Sequence, residues 1–185
     1  DGALLQRVNG RLMTAPAWTA VEIARTQNRR RVLATLDAAL RSGACATADL
    51  QRAVVEQKGR RGIVNVRQLL AYVNPWAESP MESEARCVFI DGGLPLPVLQ
   101  HEIVDRGGLL WRVDFAWPEA MVVAEYDSMQ WHANPTIWKR DRIKAARLAE
   151  CGWRTVSFVV DDVRQHPADL VWRIASRLNS ARRVG

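Results

Sequence analysis

Residues 109–127 read LLWRVDFAWPEAMVVAEYD, and the fold turns on this stretch. Over residues 109–115 the pattern alternates: Trp111, Val113 and Phe115 fall on one face of an extended chain, Arg112 and Asp114 on the other. That is the period of a strand covered on one side. Pro118-Glu119 turns the chain, and residues 120–126 are nearly continuously apolar, as a central strand requires. Upstream, residues 98–104 (VLQHEIV) predict another strand, joined to the first through Asp105-Arg106-Gly107-Gly108, a strong hairpin signal. Further upstream, Ser79-Pro80 caps and opens a helix that carries Met81, Ala85, Val88 and Phe89 and stops at Gly92-Gly93. Downstream, Thr136 can cap a helix over about 137–151, with Ile137, Ile143, Ala146, Leu148 and Ala149 in its apolar stripe. Residues 153–160 (WRTVSFVV) predict the last strand, Asp161-Asp162 a turn, and Pro167 opens a final helix over 168–180. The order is α-β-β-β-α-β-α. A helix between the third and fourth strands implies an α/β fold with a mixed sheet flanked by helices.

Residues 1–78 have a different character. Helical spacing and stop signals place helices over 17–27, 29–42, 48–57 (capped by Thr47) and about 63–73, so residues 1–73 predict a small all-helical region that ends at Asn74-Pro75. The two portions predict two domains, a helical region 1–78 and an α/β domain 79–185. The net charge of +6 lies entirely in the first: residues 1–78 carry 12 Lys and Arg against 6 Asp and Glu, and residues 79–185 carry 14 of each. A basic helical portion beside a neutral domain suits a polyanionic partner, DNA foremost. No apolar run has the length of a membrane span. Three widely separated cysteines, Cys45, Cys87 and Cys151, make neither a disulfide framework nor a zinc pattern, which points to thiols in a reducing, cytoplasmic compartment. The chain opens on Asp1 without a signal-peptide pattern, and a domain missing upstream is compatible with that start.

The residues that could carry chemistry are acidic. Asp114 and Glu125 fall near the ends of neighbouring strands, where the turn at 118–119 brings them close. Close carboxylates raise each other's pKa unless a cation lies between them, and oxygen ligands suit Mg²⁺ or Mn²⁺. A bound divalent ion could activate water beside a phosphodiester. Equally, both carboxylates could be held in salt bridges by arginines such as Arg112. Asp127 could bind the same ion or orient His132, and Glu82, in the first turn of its helix, could extend the site or simply meet the helix dipole. Glu84, two residues on, is expected to face solvent. Lys139, Arg140 and Lys144 on the following helix could contact phosphate, as could Arg29, Arg30, Arg60 and Arg61 in the helical portion, or all could be a solvated face. Of the eight tryptophans, Trp111, Trp153 and Trp172 fit core positions, and Trp131 is placed to stack on a base.

Several of these stretches resemble a known family. Pro80-Met81-Glu82-Ser83-Glu84, Gly93-Leu94-Pro95-Leu96-Pro97, Arg112-Val113-Asp114-Phe115, Glu125-Tyr126-Asp127 followed by His132, Asp141-Arg142, Gly152-Trp153 and Asp161-Asp162-Val163 are similar to the DUF559 domain. That domain is a relative of the very-short-patch mismatch-repair endonucleases in the PD-(D/E)XK, restriction-endonuclease-like superfamily. The resemblance implies that Asp114 and Glu125 are metal ligands, that Glu82 is a helix carboxylate of the site and that His132 is its histidine. Asp127 stands where the superfamily carries lysine, and Ser128 where the family usually has glycine. Residues 17–75 resemble the segment that precedes this domain in actinobacterial AbiEi-type antitoxins and regulators, proteins that often carry a winged-helix domain further upstream.

The resemblance implies a Mg²⁺- or Mn²⁺-dependent DNA endonuclease, with Asp114, Glu125 and Asp127 as metal ligands and Glu82 and His132 completing the catalytic set. The alternative is a non-catalytic DNA-binding transcriptional regulator or antitoxin component. The two differ in whether DNA is cut or only bound.

Overall fold

A computed structural model of the chain describes residues 5–128 and 135–182. It divides into two compact units, Asp1–Cys87 and Val88–Gly185.

The first unit begins with an antiparallel hairpin, β1 (Leu5–Val8) and β2 (Arg11–Thr14), paired in register from Val8 with Arg11 to Leu5 with Thr14. This corrects the all-helical expectation for residues 1–73. The cause is Asn9-Gly10: both residues have positive φ, 50° and 78°, as the two-residue turn that matches strand twist demands. Helices α1 (Pro16–Ala24), α2 (Arg29–Arg41), α3 (Thr47–Glu56) and α4 (Ile63–Leu69) follow, the last tightening into a 3-10 turn over Leu70–Tyr72. Pro16 opens α1, and the Asn28 side chain caps α2 by accepting from the Arg31 amide at 3.2 Å. Thr47 is the first helical residue of α3 and not its cap; the Asp49 carboxylate covers the Ala46 amide at 2.9 Å. Val21, Ala24, Val32, Leu33, Leu36, Leu50, Val66 and Leu69 form the buried core of the bundle.

Helix α5 (Pro80–Asp91) carries the boundary between the units. Its first-unit portion is tied to α2 by a buried ion pair, Arg86 Nη1 donating to Asp37 Oδ2 at 2.7 Å, while Asp37 Oδ1 accepts from the Asn74 amide at 2.8 Å. Glu84 is buried, with Arg31 Nε 3.9 Å from its carboxylate, which corrects its expected solvent exposure. Residues 82 to 89 of α5 are all buried, so helical spacing alone misplaces Glu84.

In the second unit a four-stranded sheet has the order β3 (Val98–Val104), β4 (Leu110–Trp117), β5 (Val122–Tyr126), β6 (Arg154–Phe158). The first three strands are antiparallel; β6 runs parallel to β5, with α6 (Pro135–Glu150) as the crossover. The chain is thus a mixed α/β sheet flanked by helices and preceded by a mainly helical region. The β3–β4 turn is built on Asp105, whose carboxylate accepts from the Gly107 and Leu109 amides at 2.8 and 2.9 Å and from Trp111 Nε1 at 2.9 Å. The Trp111 bond leads, with the amides, in holding this carboxyl below its ordinary pKa.

Trp111, Val113 and Phe115 do not share one face as alternation predicts. Trp111 and Val113 pack with Ile103, Leu148 and Trp153, whereas Phe115 meets Phe89 edge-on at 5.2 Å and lies 6.0 Å from Phe158. The strand changes phase at Asp114. Its opposite position in the β3–β4 register is Gln100, which takes φ 50° and drops out of the ladder.

Three further expectations are corrected. Asp161-Asp162 opens a short helix, α7 (Val160–Arg164), because Asp162 accepts from the Val159 amide at 2.9 Å. In α8 (Pro167–Arg182) the buried stripe is Leu170, Ile174 and Leu178, which turns Trp172 outward to 69% exposure. Helix α6 contributes Leu148 to the core, while Ile143, Ala146 and Ala149 are exposed.

Candidate nucleic-acid interface

The paired carboxylates come first. The β4–β5 register runs from Trp117 with Val122 to Phe115 with Ala124, and one more step brings Asp114 opposite Glu125. The expected approach of these two residues is therefore present, but each has a protein partner. Asp114 Oδ2 accepts from the Tyr126 amide at 2.8 Å. Glu125 is ion-paired with Lys144, which also donates to the Arg112 carbonyl at 2.6 Å. The cation on Glu125 is thus Lys144, brought in by α6, and the neighbouring Arg112 contributes its carbonyl to the same ammonium. Burial raises the Glu125 pKa, Lys144 opposes that shift, and Asp141 adds to it.

Asp127 is exposed, and its amide donates to the Phe158 carbonyl at 2.8 Å. Glu82 belongs to the first unit, where its carboxylate accepts from the Glu78 amide at 2.8 Å and its amide donates to Ser79 Oγ at 3.2 Å. That is the reciprocal bonding of a helix start. Trp131 and His132 lie outside the described residues. Among the described residues no group of three or more His, Cys, Asp and Glu could hold a metal ion. The donor set that is described does not fit Mg²⁺ or Mn²⁺: Asp114 and Glu125 are engaged with an amide and an ammonium.

The basic residues form a more coherent arrangement. Around the C-terminus of α1, Arg25 bonds Glu22 and donates to the Arg61 carbonyl at 3.3 Å. Arg60 reaches the same Glu22 at 3.1 Å and lies over the Trp18 ring, 5.1 Å from its centroid. The two guanidiniums, Arg25 foremost, hold the Glu22 carboxyl below its ordinary pKa while burial opposes them. Gly62 makes this packing possible. It has φ 84°, and a Cβ there would sit 1.9 Å from the Arg25 carbonyl oxygen. At the start of α2, Arg29 donates to Gln68 at 2.9 Å, and the adjacent Arg30 is half-buried. Arg61 is exposed, and its guanidinium makes no ion pair among the described residues. Of these, Arg29, Arg30, Arg60 and Arg61 are legible as dense basic spots. Arg25 and Trp18 escape notice, although the three-residue spacing of Glu22 and Arg25 was a signal for that pair. On α6, Lys139 and Arg140 are exposed, whereas Lys144 is committed to Glu125.

Residues 2–72 match a family described as the AbiEi antitoxin C-terminal domain. Over 184 residues, 100% of this chain and 68% of each relative, the chain is 59% identical to two Mycobacterium tuberculosis proteins. These are "Uncharacterized protein MT2308" of strain CDC 1551 / Oshkosh and "Uncharacterized protein Rv2248" of strain ATCC 25618 / H37Rv. No solved structure matches. The antitoxin match, with the lack of a three-donor metal group among the described residues, overturns the expectation of a Mg²⁺- or Mn²⁺-dependent endonuclease. Among the described residues no helix is long and apolar enough to cross a membrane.

Proposed function

The chain belongs to the same family as these two mycobacterial proteins, and from that premise we propose that it is a non-catalytic, DNA-binding regulator of the antitoxin type. The observation that carries this reading is the cationic end of the helical unit. Arg25 and Arg60 share one carboxylate, Glu22, on a scaffold fixed by Gly62 and Trp18, the Arg61 carbonyl accepts from Arg25, and Arg29 bonds Gln68 at the start of the next helix. Guanidiniums held in place by packing meet phosphates with less entropy to lose than free side chains. The mixed sheet of the second unit supports a restriction-endonuclease-like scaffold, with Lys144 ion-paired to Glu125 and the Tyr126 amide bonded to Asp114 where a nuclease would need both carboxylates for metal. The two portions, 1–78 basic and 79–185 neutral, then divide the work between polyanion contact and scaffold.

The test is duplex DNA binding by fluorescence anisotropy across a salt series. The chain should bind a random-sequence duplex in the micromolar range, roughly 1–100 µM at physiological salt, with affinity falling linearly on a log–log plot. An affinity that ignores both salt and the arginines of the patch would sink the reading.

A further inference from the structure

Helix α8 has two faces of opposite character. Leu170, Ile174 and Leu178 are buried, while Trp172, about 200° round the helix from Leu170, is 69% exposed. Arg173, Ser176 and Arg177 follow on the same flank, at the spacing that makes helical side chains neighbours. These four residues and the outer edge of β6 line an open groove of about 350 Å³ within the second unit.

The groove has fixed cations. β6 is the edge strand, and its outward carbonyls are already engaged: Arg177 donates to Thr155 O at 3.3 Å and Arg173 to Ser157 O at 3.4 Å. Those bonds discourage a further strand from pairing along β6. They also hold two guanidiniums beside the exposed indole. Arg173 is partly neutralised by Asp162 at 2.9 Å; Arg177 is exposed and makes no ion pair among the described residues. A large ring left in water next to cations, with the hydroxyls of Ser157 and Ser176 exposed nearby, matches the chemistry of a base-stacking site. A duplex keeps its bases stacked on one another and offers the ring no face.

We propose that the Trp172–Arg177 flank of α8 binds single-stranded nucleic acid, with Trp172 stacking on a base and Arg177 and Arg173 meeting the adjoining phosphates. The site lies in the second unit and stands apart from the duplex-binding reading of the first.

The experiment titrates the full chain into an end-labelled oligodeoxythymidylate and, separately, a labelled duplex at low ionic strength, following anisotropy. Trp172→Ala should weaken oligonucleotide binding about tenfold, since stacking on one base is worth that order, and Trp172→Phe should stay within about threefold of wild type. Arg177→Glu should weaken it as well and flatten its salt dependence. Trp172→Ala should leave duplex affinity unchanged, and an Arg60→Ser/Arg61→Ser variant should keep oligonucleotide affinity while losing duplex affinity. Because Trp172 is exposed, a circular-dichroism melt matching wild type certifies that the variants fold. The proposal is overturned if wild type does not bind the oligonucleotide, or if Trp172→Ala and Arg177→Glu bind it as wild type does. It is also overturned if Trp172→Ala abolishes concentration-dependent self-association in ultracentrifugation and leaves nucleic-acid binding untouched, which would make the flank a contact between copies of the chain.

Discussion

Lys144 serves two acceptors at once, the Glu125 carboxylate and the Arg112 carbonyl, and so decides the electrostatics of the sheet end. Removing its charge leaves Glu125 half-buried without its cation, and the carboxyl pKa rises further above its ordinary value. A folded-state pKa raised above the unfolded one adds stability below the unfolded pKa, near 4.5, and that stability is lost as pH rises through the folded value. Lys144→Met should therefore cost about 1–2 kcal/mol at neutral pH, with the deficit shrinking as pH falls toward 5; urea denaturation at several pH values measures both. Asp105 has the opposite sign. Its pKa is depressed by Trp111 and two amides, so its contribution is present above the ordinary pKa and lost as pH falls through the lower folded value. Asp105→Asn should flatten the acid limb of the unfolding curve, as seen in Tm against pH. At Gly62 the constraint is steric. Gly62→Ala places a Cβ against the Arg25 carbonyl at a φ of 84°, so it should destabilise the first unit by more than about 1 kcal/mol and loosen the arginine patch.

Between elements, α2 and α5 depend on one buried ion pair. Asp37 is fully buried and Arg86 nearly so, and Asp37 also anchors the chain at Asn74. Asp37→Ala would strand a buried guanidinium, which typically costs about 3–5 kcal/mol. Replacing both residues with apolar side chains of similar volume should recover most of that loss; the midpoints of chemical denaturation for single and double variants check it. The β1–β2 hairpin shows an element that local sequence could have announced. Asn9-Gly10 is a strong two-residue turn signal, but Leu5 and Val8, Leu12 and Met13 are all exposed, so no buried face imposes the alternation that usually reveals a strand.

Across the whole molecule, charge is unevenly shared: all the net positive charge lies in residues 1–78. If the arginine patch is the duplex contact, Arg60→Ser/Arg61→Ser should reduce the slope of log affinity against log salt by about 2, with a modest loss of stability from the Arg60 contacts to Glu22 and Trp18. Supercoiled plasmid incubated with the chain and Mg²⁺ should remain uncut, as gel electrophoresis will report.

Local sequence determined the strands and the longer helices of the second unit, the Asp105 turn and the basic character of the N-terminal region, because periodicity, glycine and proline act over a few residues. It also brought Asp114 and Glu125 onto neighbouring strands. What those carboxylates do was decided only in three dimensions. Lys144 arrives from a helix 19 residues away in sequence, and the Tyr126 amide becomes a donor to Asp114 only once β4 and β5 pair. The placement of Trp172 depended likewise on which stripe of α8 the core selected. A charge pattern names the groups available to a site. Packing chooses their partners, since a carboxylate near a sheet end takes whichever cation the neighbouring layer brings within reach.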